Sequence, residues 1–359
     1  MRKAKRWVKV LFCILLALVL LVGTYVAYVF IAYHRIGDQE LTAQGEGKST
    51  VLDTAVSYSI LSYNIGFGAY EDDYGFFMDG GTESWAWSQE RLEKNLADIA
   101  ALRAAQKADF YFVQEVDADS TRTYHTDETA LLRQALPGYS SVWGQNYDSP
   151  FLFWPLRQPH GASVSGLMTF SSVPISSSLR RSLPIESGVM KLVDLDRCYT
   201  VSRVAVENGR ELVLFAVHLS AYTSDGTIAI RQMEMLLEDM QREYEKGNYC
   251  VCGGDFNKDL LGNSEEVFGI SAGDYTWAQP LPEELFAGKD LTLVPPIDRA
   301  DPVPSCRNAD APYFDGQYVV TVDGFLVSDN VTVQSARVID TGFAYSDHNP
   351  VVMSFLLQP

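Results

Sequence analysis

The sequence predicts an α/β fold in which two β-sheets pack face to face with helices outside them, preceded by one N-terminal transmembrane helix. Along residues 56–359, many short apolar runs typical of strands alternate with a few amphipathic helical patterns. Segments of this kind bury their apolar faces by stacking in layers. An uncharged apolar stretch near the N-terminus predicts the additional membrane helix.

The apolar stretch at residues 10–33 contains no charged residue. At about 1.5 Å per residue it is long enough to cross a hydrocarbon core of about 30 Å. A cleaved signal peptide is the alternative interpretation, but its apolar core is usually only about 7–15 residues long. We therefore favour an uncleaved anchor.

The charges on either side of this stretch predict its orientation. Five basic residues precede it: Arg2, Lys3, Lys5, Arg6 and Lys9. It is followed by His34 and Arg35, and then by Asp38 and Glu40. Because basic residues are retained on the cytoplasmic side, we expect the N-terminus in the cytoplasm and the rest of the chain outside.

The chain is expected to have four parts. Residues 1–9 are a cytoplasmic basic segment, and residues 10–33 are the transmembrane helix. Residues 34–55, rich in Gly, Gln, Thr and Ser, predict a polar linker. Residues 56–359 form one large domain, near the upper size limit for a single core.

Apolar periodicity and turn signals predict the main elements of the large domain. The predicted strands are 59–64, 109–115, 166–170, 200–206, 211–217, 249–252, 319–327 and 351–357. Helices are predicted over 88–105, with Ser88 as N-cap, and over 228–244. Asn208-Gly209 predicts a tight hairpin turn between two of the strands.

Charge and cysteine content narrow the possible functions. A net charge of −18 argues against tight nonspecific nucleic-acid binding, although a bound cation would change the local field. The five cysteines include no C-x-x-C pair, so neither a zinc site nor a redox motif is expected. Cys250 and Cys252 are predicted to be core residues on one strand face, and a disulfide involving Cys198 or Cys306 is left open.

Polar and titratable side chains recur where the predicted apolar strands end. They are Asn64, Glu115, His218, Asp255, Asn257, Asp323, Asp347 and His348. Carboxylate and amide oxygens suit a hard divalent cation, and histidine can transfer a proton near neutral pH. This pattern predicts metal-assisted phosphoester chemistry at one edge of the sheets.

Six short motifs occur in a fixed order along the domain. They are S-Y-N at 62–64, V-Q-E at 113–115, A-V-H-L at 216–219, G-D-F-N at 254–257, V-D at 322–323 and S-D-H at 346–348. This set resembles the endonuclease/exonuclease/phosphatase superfamily, which includes deoxyribonucleases, neutral sphingomyelinases and inositol polyphosphate 5-phosphatases. The resemblance implies a four-layer α/β sandwich that hydrolyses phosphoric ester bonds. One departure is Ser172, which stands where members often have an arginine.

The resemblance and the residue chemistry together suggest metal ligands. Glu115 is the strongest candidate, because a carboxylate that ends an apolar strand is costly to bury unless it is paired or coordinated. Asn64 is expected to support the same cation, and Asp347 to make a second metal contact. Mg²⁺ is the expected cation, with Mn²⁺ or Ca²⁺ as alternatives.

The remaining motif residues are candidates for catalysis. His348 is the candidate general base and Asp323 is expected to orient its imidazole, although the base could be shared between His348 and Asp255. Asp255 is expected to orient or activate the attacking water. His218 is expected to stabilise the phosphoryl group or to protonate the leaving oxygen, and Asn257 to bond a phosphate oxygen.

Four further features concern substrate binding. His160 and Arg231 are candidate substrate-binding residues. Residues 67–87 and 151–156 are rich in aromatic and other apolar side chains. These two segments predict either a lid packed on the domain or a rim that grips a lipid or enters a bilayer. A platform for base stacking is a third interpretation.

The sequence therefore predicts a membrane-anchored, divalent-metal-dependent phosphoesterase outside the cytoplasm. Its favoured substrate is a phospholipid or another small phosphoester, either a phosphodiester or a phosphomonoester. An extracytoplasmic nuclease of the deoxyribonuclease type is the alternative, so nucleic acid remains a less favoured partner. A catalytically silent binding module on the same fold is the second alternative. No feature of the sequence indicates an oligomeric state.

Overall fold

The computed structural model describes residues 2–48, 51–185, 196–221, 227–273, 275 and 277–359. Two mixed β-sheets pack face to face, and helices cover their outer surfaces. This arrangement confirms the predicted α/β sandwich.

The first sheet has six strands in the order β14-β15-β2-β3-β5-β4. Their bounds are β2 Ser57–Asn64, β3 Phe110–Ser120, β4 Ser140–Leu152, β5 Gly161–Ser171, β14 Val331–Val338 and β15 Val351–Leu357. β2 and β3 run parallel, whereas β5 is antiparallel to both β3 and β4. β2, β3 and β4 therefore point in the same direction and end at the same edge of the sheet.

The second sheet has seven strands in the order β1-β6-β7-β8-β9-β13-β10. Their bounds are β1 Gln39–Glu40, β6 Ile175–Ser182, β7 Cys198–Ala205, β8 Glu211–His218, β9 Tyr249–Asp255, β10 Leu291–Val294 and β13 Asp323–Ser328. β8 and β9 run parallel, and β13 is antiparallel to β9. The Asn208-Gly209 turn joins the antiparallel pair β7 and β8, as predicted.

A separate two-stranded sheet pairs β11 (Cys306–Arg307) with β12 (Val319–Val320). The single strand predicted over 319–327 is therefore wrong, because the chain leaves one sheet at Val320 and enters another at Asp323. The helices are α1 Arg2–Ala32, α2 Gln89–Gln106, α3 Glu128–Ala135, α4 Thr227–Glu245 and α5 Ser264–Phe268. The Ser88 side chain accepts a hydrogen bond from the backbone N–H of Arg91, which confirms it as the N-cap of α2.

Alternating side chains on the strands build the layers. Ile60 and Phe112 face the space between the two sheets, where the largest apolar cluster lies. Their neighbours Leu61 and Val113 face the opposite way and pack under α2 and α3. On the second sheet, Cys250 joins Cys252 and other apolar residues beneath α4. Because successive side chains of a strand point to opposite faces, each sheet carries two apolar faces, which gives four layers.

The N-terminal helix α1 has one stretch, Lys5–Ala32, that is long and apolar enough to cross a membrane. Most of that stretch is exposed, whereas Val29 near its C-terminal end is buried. The chain that follows lies along the domain: β1 pairs with β6, and Leu52 donates its backbone N–H to Ala205 O. Several residues of the predicted linker 34–55 are therefore hydrogen-bonded to the domain, although most of its described residues are exposed.

Candidate active site

The motif side chains meet at the edge where strands of both sheets end. In the second sheet, Asp255 lies beside His218 on parallel β8 and opposite Asp323 on antiparallel β13. In the first sheet, Asn64 pairs with Gln114, the residue before Glu115. Residues 64 and 255 are far apart in sequence, yet Asn64 Nδ2 lies 3.1 Å from Asp255 Oδ2. The site therefore forms only when the two sheets pack together.

Two unusual backbone conformations shape this edge. Glu115 has a positive φ of 56° and lies where the pairing of β3 with β5 shifts register. A bulge of this kind redirects a side chain, and here it turns the carboxylate into the site. Gly254 has a φ of 148°, and a Cβ added to it would lie 2.0 Å from Val217 O. Only glycine fits at this position in the G-D-F-N motif.

Asn64 links the carboxylates of the two sheets. Its Nδ2 donates to Glu115 Oε1 at 3.0 Å as well as to Asp255. Its Oδ1 accepts from the backbone N–H of Gly66 at 3.0 Å. Asn64 thus presents hydrogen-bond donors to the site. Its side-chain oxygen could ligate a cation only if the amide group rotated by about 180°.

His348 and Asp323 form a buried imidazole–carboxylate pair. His348 Nδ1 lies 2.7 Å from Asp323 Oδ2, which also accepts from Ser305 Oγ at 2.8 Å. Burial alone disfavours a charged imidazole, but the combined effects of the charge and hydrogen bond of Asp323, of Cys306 and of Asp347 outweigh it and raise the pKa of His348 well above its usual value. The other ring nitrogen, Nε2, faces the site 3.8 Å from Asp255 Oδ2.

Asp255 lies between two imidazoles. Its Oδ2 is 3.5 Å from His218 Nε2, and its Oδ1 accepts from the backbone N–H of Asn257 at 2.8 Å. Burial raises the pKa of Asp255 to about 7. Burial lowers the pKa of His218 well below its usual value, with the charges of Arg197 and His348 acting in the same direction. A neutral His218 fits stabilisation of the phosphoryl group better than protonation of a leaving oxygen.

Asn257 and Asp347 complete the set of motif residues. Asn257 has a φ of 50°, a conformation that asparagine adopts more readily than most residues, and its Nδ2 donates to Leu219 O at 2.8 Å. Burial raises the pKa of Asp347 to about 6. Both residues line the same cavity as Glu115, Asp255 and His348.

This cavity has a volume of about 220 Å³ and contains one of the two predicted substrate-binding residues. His160 lines it, is buried, and places Nδ1 3.2 Å from Ser84 O. Burial lowers the pKa of His160 to about 4, and the charge of Arg122 acts in the same direction. Arg231 is not brought to this cavity: it is exposed on α4, whose apolar face packs on the sheet instead.

Ser172, which stands where family members often have an arginine, lies away from this cavity. Ser172 follows the end of β5, and its backbone N–H donates to Asp109 O just before β3 begins. Glu115 lies further along β3, towards the edge of the sheet beside the cavity. Position 172 is therefore at the opposite edge of the sheet from the cavity.

Sequence reasoning missed several residues that support the site. Ser305 holds Asp323, and Ser346 Oγ donates to Asn64 O at 2.8 Å. Cys306 Sγ lies 3.6 Å from His348 Nε2, and burial raises the pKa of this thiol to about 12. Arg122 lines the cavity and is held by Asp117. Ser305 and Cys306 lie in a segment without an apolar run, so only Ser346, inside the S-D-H motif, carried a sequence signal.

The donor set of the site fits a hard divalent cation. Three carboxylates, those of Glu115, Asp255 and Asp347, line one cavity. Among the residues that the structure describes, the ion-pairing neighbours of Asp255 within 4.0 Å are imidazoles. A buried carboxylate in such surroundings favours an added cation. Oxygen ligands of this kind suit Mg²⁺, whereas the thiol of Cys306 would be an unusual ligand for it.

The aromatic segments differ in their environment. In residues 67–87, Phe67, Tyr70, Tyr74 and Phe76 are buried in the cluster under α2. This part matches the prediction of a segment packed on the domain. In residues 151–156, by contrast, Phe153 and Trp154 are exposed.

Comparisons with known proteins agree with this architecture. The family model described as endonuclease/exonuclease/phosphatase family matches residues 61–348. No curated protein matches the chain. The endonuclease/exonuclease/phosphatase from Beutenbergia cavernae DSM 12333 is 19% identical, with a TM-score of 0.54 over 84% of this chain and 72% of that chain.

Two further structures have the same fold. The human Nocturnin catalytic domain with bound sulfate anion is 18% identical, with a TM-score of 0.53 over 89% of this chain and 98% of that chain. An endonuclease/exonuclease/phosphatase family protein from Leptotrichia buccalis C-1013-b is 14% identical, with a TM-score of 0.54 over 83% of this chain and 99% of that chain. At these identities the likeness establishes the fold.

Proposed function

Because the chain belongs to the endonuclease/exonuclease/phosphatase family, whose members hydrolyse phosphoester bonds, we propose that it is a membrane-anchored, divalent-metal-dependent phosphoesterase that acts outside the cytoplasm. Its substrate is a phosphodiester or a phosphomonoester, with a phospholipid or another small phosphoester favoured. The apolar helix α1 and the net charge of −18 support this choice over a nucleic acid.

One observation carries the proposal. Asp323 fixes His348 Nδ1 at 2.7 Å, so that Nε2 faces Asp255 Oδ2 at 3.8 Å. Orienting carboxylates hold an imidazole in the tautomer and direction that proton transfer needs. The pair is buried beside two further carboxylates. An ion pair that served only as a surface salt bridge would need neither feature.

Each of these side chains can have a separate role in the reaction. A water beside Asp255 Oδ2 and His348 Nε2 would be within hydrogen-bond reach of both. Because the raised pKa of His348 keeps its imidazole protonated, the proton of this water would pass to the ionised carboxylate of Asp255, the other member of the coupled pair. His218, on the other side of Asp255, would donate a hydrogen bond to the phosphoryl group. Asn257, already held by Leu219 O, would contact a phosphate oxygen.

Glu115 and Asp347 would hold the cation, and Asn64 would join them if its amide turned over. When bound, a divalent cation neutralises negative charge that develops on the phosphoryl and leaving oxygens. Asn64 has a second role that needs no cation, since it fixes the spacing between Glu115 and Asp255 through two hydrogen bonds.

The test is a substrate screen of the full chain purified in detergent. Plasmid DNA, sphingomyelin, phosphatidylinositol phosphates and bis-p-nitrophenyl phosphate would each be incubated with Mg²⁺ or with EDTA. We expect Mg²⁺-dependent hydrolysis of a lipid or of the small ester, and its loss in H348A and D255N. H125A is the matched control, because His125 is exposed and pairs with Asp119 away from the cavity.

Each other result has a defined meaning. Hydrolysis confined to DNA would support the nuclease instead, and no turnover of any substrate would support the silent binding module. Turnover that persists in EDTA, or in both H348A and D255N, would contradict the proposed site.

A further inference from the structure

We propose that the outer end of α1 and the loop of residues 153–157 form one membrane-contacting surface, which lies in the outer interface of a lipid bilayer beside the cavity. The partner is the bilayer itself. The inference rests on the proposed function in one respect, the assignment of α1 as a membrane anchor. It deepens that function, because it makes a membrane lipid the nearest source of phosphoester.

The first step is the contact between α1 and the end of β4. Tyr25 Oη donates to Phe151 O at 3.2 Å, and the backbone N–H of Phe151 donates to Tyr28 Oη at 3.1 Å. The Tyr25 ring also meets the Phe153 ring edge-on, with centroids 5.1 Å apart. These contacts fix the height at which the loop meets the helix.

The second step concerns the level of this loop relative to the bilayer. Tyr25 lies seven residues before Ala32, the last residue of α1, which corresponds to about 10 Å along the helix. If α1 crosses the membrane, a segment that contacts Tyr25 and Tyr28 lies at the level of the outer interface. Tyrosine and tryptophan are the residues favoured at that level.

The third step is the character of the loop. Phe153, Trp154 and Leu156 are 53%, 65% and 77% exposed. Three large apolar side chains in four positions are unfavourable in water, but they suit the boundary between headgroups and acyl chains. The exposed Arg157 follows them and can contact lipid phosphates.

The fourth step connects this surface to the cavity. β4 points in the same direction as β2 and β3, so its loop leaves the sheet at the edge that carries Asn64 and Glu115. The returning chain is fixed: Ser84 Oγ donates to Gln158 O at 2.7 Å, and the next two residues lead to His160 in the cavity wall. A headgroup phosphate at the bilayer surface would therefore lie close to the cavity.

The test measures depth without using catalysis. L156C and the control V56C, each in a Cys13→Ser background, would be labelled with the fluorophore NBD. The four remaining cysteines are buried, and Val56 is 43% exposed just before β2, at the opposite edge of the sheet. Full-length protein would be placed in nanodiscs of phosphatidylcholine and phosphatidylglycerol, with or without lipids that carry a shallow spin-label quencher.

We expect blue-shifted emission and strong quenching for the probe at position 156, and neither for the probe at position 56. Equal, water-like emission from both probes would overturn the proposal, as would quenching of both. Because this readout needs no turnover, its result is independent of the proposed enzymatic activity.

A second arm tests the consequence for the substrate. The F153S/W154S/L156S variant should hydrolyse bis-p-nitrophenyl phosphate as the wild type does, while its hydrolysis of lipid in the same nanodiscs falls roughly tenfold. Unchanged lipid hydrolysis in this variant would contradict a role of the surface in presenting the substrate. Circular dichroism would confirm that the variant is folded.

Discussion

At the scale of single residues, His348 owes its direction to hydrogen bonds from a part of the chain that carries no catalytic group. Ser305 Oγ donates to Asp323 Oδ2 and accepts the backbone N–H of Asp323 at 3.0 Å, so the carboxylate cannot rotate freely. Asp323 Oδ2 then holds His348 Nδ1. The imidazole is therefore positioned before any substrate binds, as preorganised catalysis requires.

Replacing Asp323 with asparagine tests this positioning. D323N keeps the size of the side chain but removes the negative charge that fixes the imidazole tautomer. We expect kcat on bis-p-nitrophenyl phosphate to fall by about 10²–10⁴-fold, with little change in KM. Steady-state kinetics would measure both parameters.

The control for D323N is D119N. Asp119 forms a similar carboxylate–imidazole pair with His125, with Oδ1 and Nδ1 2.5 Å apart, but both side chains are exposed. D119N should leave kcat unchanged. If D323N were as active as D119N, His348 would not depend on Asp323 for its function.

Glu115 is the residue on which the proposed cation site depends most. Its carboxylate is turned inward by the positive φ of 56° and has Asn64 as a hydrogen-bond donor. E115Q should weaken Mn²⁺ binding by more than the roughly 10–100-fold typical of outer-shell partners. Electron paramagnetic resonance of free Mn²⁺ would report the affinity directly. Wild-type affinity in E115Q would remove Glu115 from the metal site.

The motif residues could be predicted from the sequence because they lie in or next to apolar strands, where those strands meet at a sheet edge. Asn64, His218 and Asp255 end their strands, whereas Asp323 begins β13. Glu115 was predicted to end a strand but lies at a bulge inside β3.

The side chains that support these motif residues could not be predicted from the sequence. Arg122 lies in a polar segment, and its guanidinium reaches the site only because Asp117 holds it and the Phe67 ring lies 3.7 Å below. Such contacts depend on the packing of separate segments, which periodicity does not encode.

At the scale of elements, α4 is tied to the second sheet by a charged contact as well as by its apolar face. Glu243 accepts hydrogen bonds from Arg203 on β7, from Lys246 and from Asn248. Burial opposes the charged form of Glu243, but these hydrogen bonds outweigh it and lower the pKa of Glu243 to about 2. The carboxylate therefore stabilises the fold as long as it is ionised.

This contact predicts a pH-dependent stability. A pKa that is lower in the folded state adds stability above the unfolded value of about 4.5, and that stability is lost as the pH falls through the folded value. E243Q should therefore lower Tm at pH 7, and the difference from wild type should shrink as the pH falls from about 5 to about 2.5. Thermal unfolding followed by circular dichroism would measure it.

The exposed Glu238 on the same helix provides the control for E243Q. E238Q should change Tm only slightly, and by the same amount across this pH range. A difference between wild type and E243Q that stayed constant with pH would mean that the Arg203 contact adds no charge-dependent stability.

The predicted elements were those with clear apolar periodicity, and the missed ones lack it for a physical reason. β4 mixes Gly144, Asn146 and Asp148 with apolar residues, because the middle of this strand lines the cavity while Val142 near its start packs in the core. β14 is an edge strand with several exposed positions. β1 has only two residues, both polar and exposed, so its pairing with β6 leaves no trace in the sequence.

At the scale of the whole molecule, the site and the proposed membrane surface share one edge of the sandwich. Asn64 and Glu115 come from the six-stranded sheet, whereas His218, Asp255 and Asp323 come from the seven-stranded sheet. Any movement between the sheets would separate Asn64 from Asp255. The contact of α1 with the end of β4 places the proposed membrane anchor beside the same edge.

We expect this edge of the sandwich to lie outside the cell. This expectation depends on the charges on either side of α1. Basic residues 2, 3, 5, 6 and 9 precede the apolar stretch, and Asp38 and Glu40 follow it, so the domain should be extracytoplasmic. In intact cells, a membrane-impermeant maleimide should label V56C in a Cys13→Ser background. A4C in the same background should be labelled only after the cells are permeabilised. Labelling of A4C in intact cells, with V56C protected, would reverse the orientation and remove the extracytoplasmic phosphoesterase from consideration.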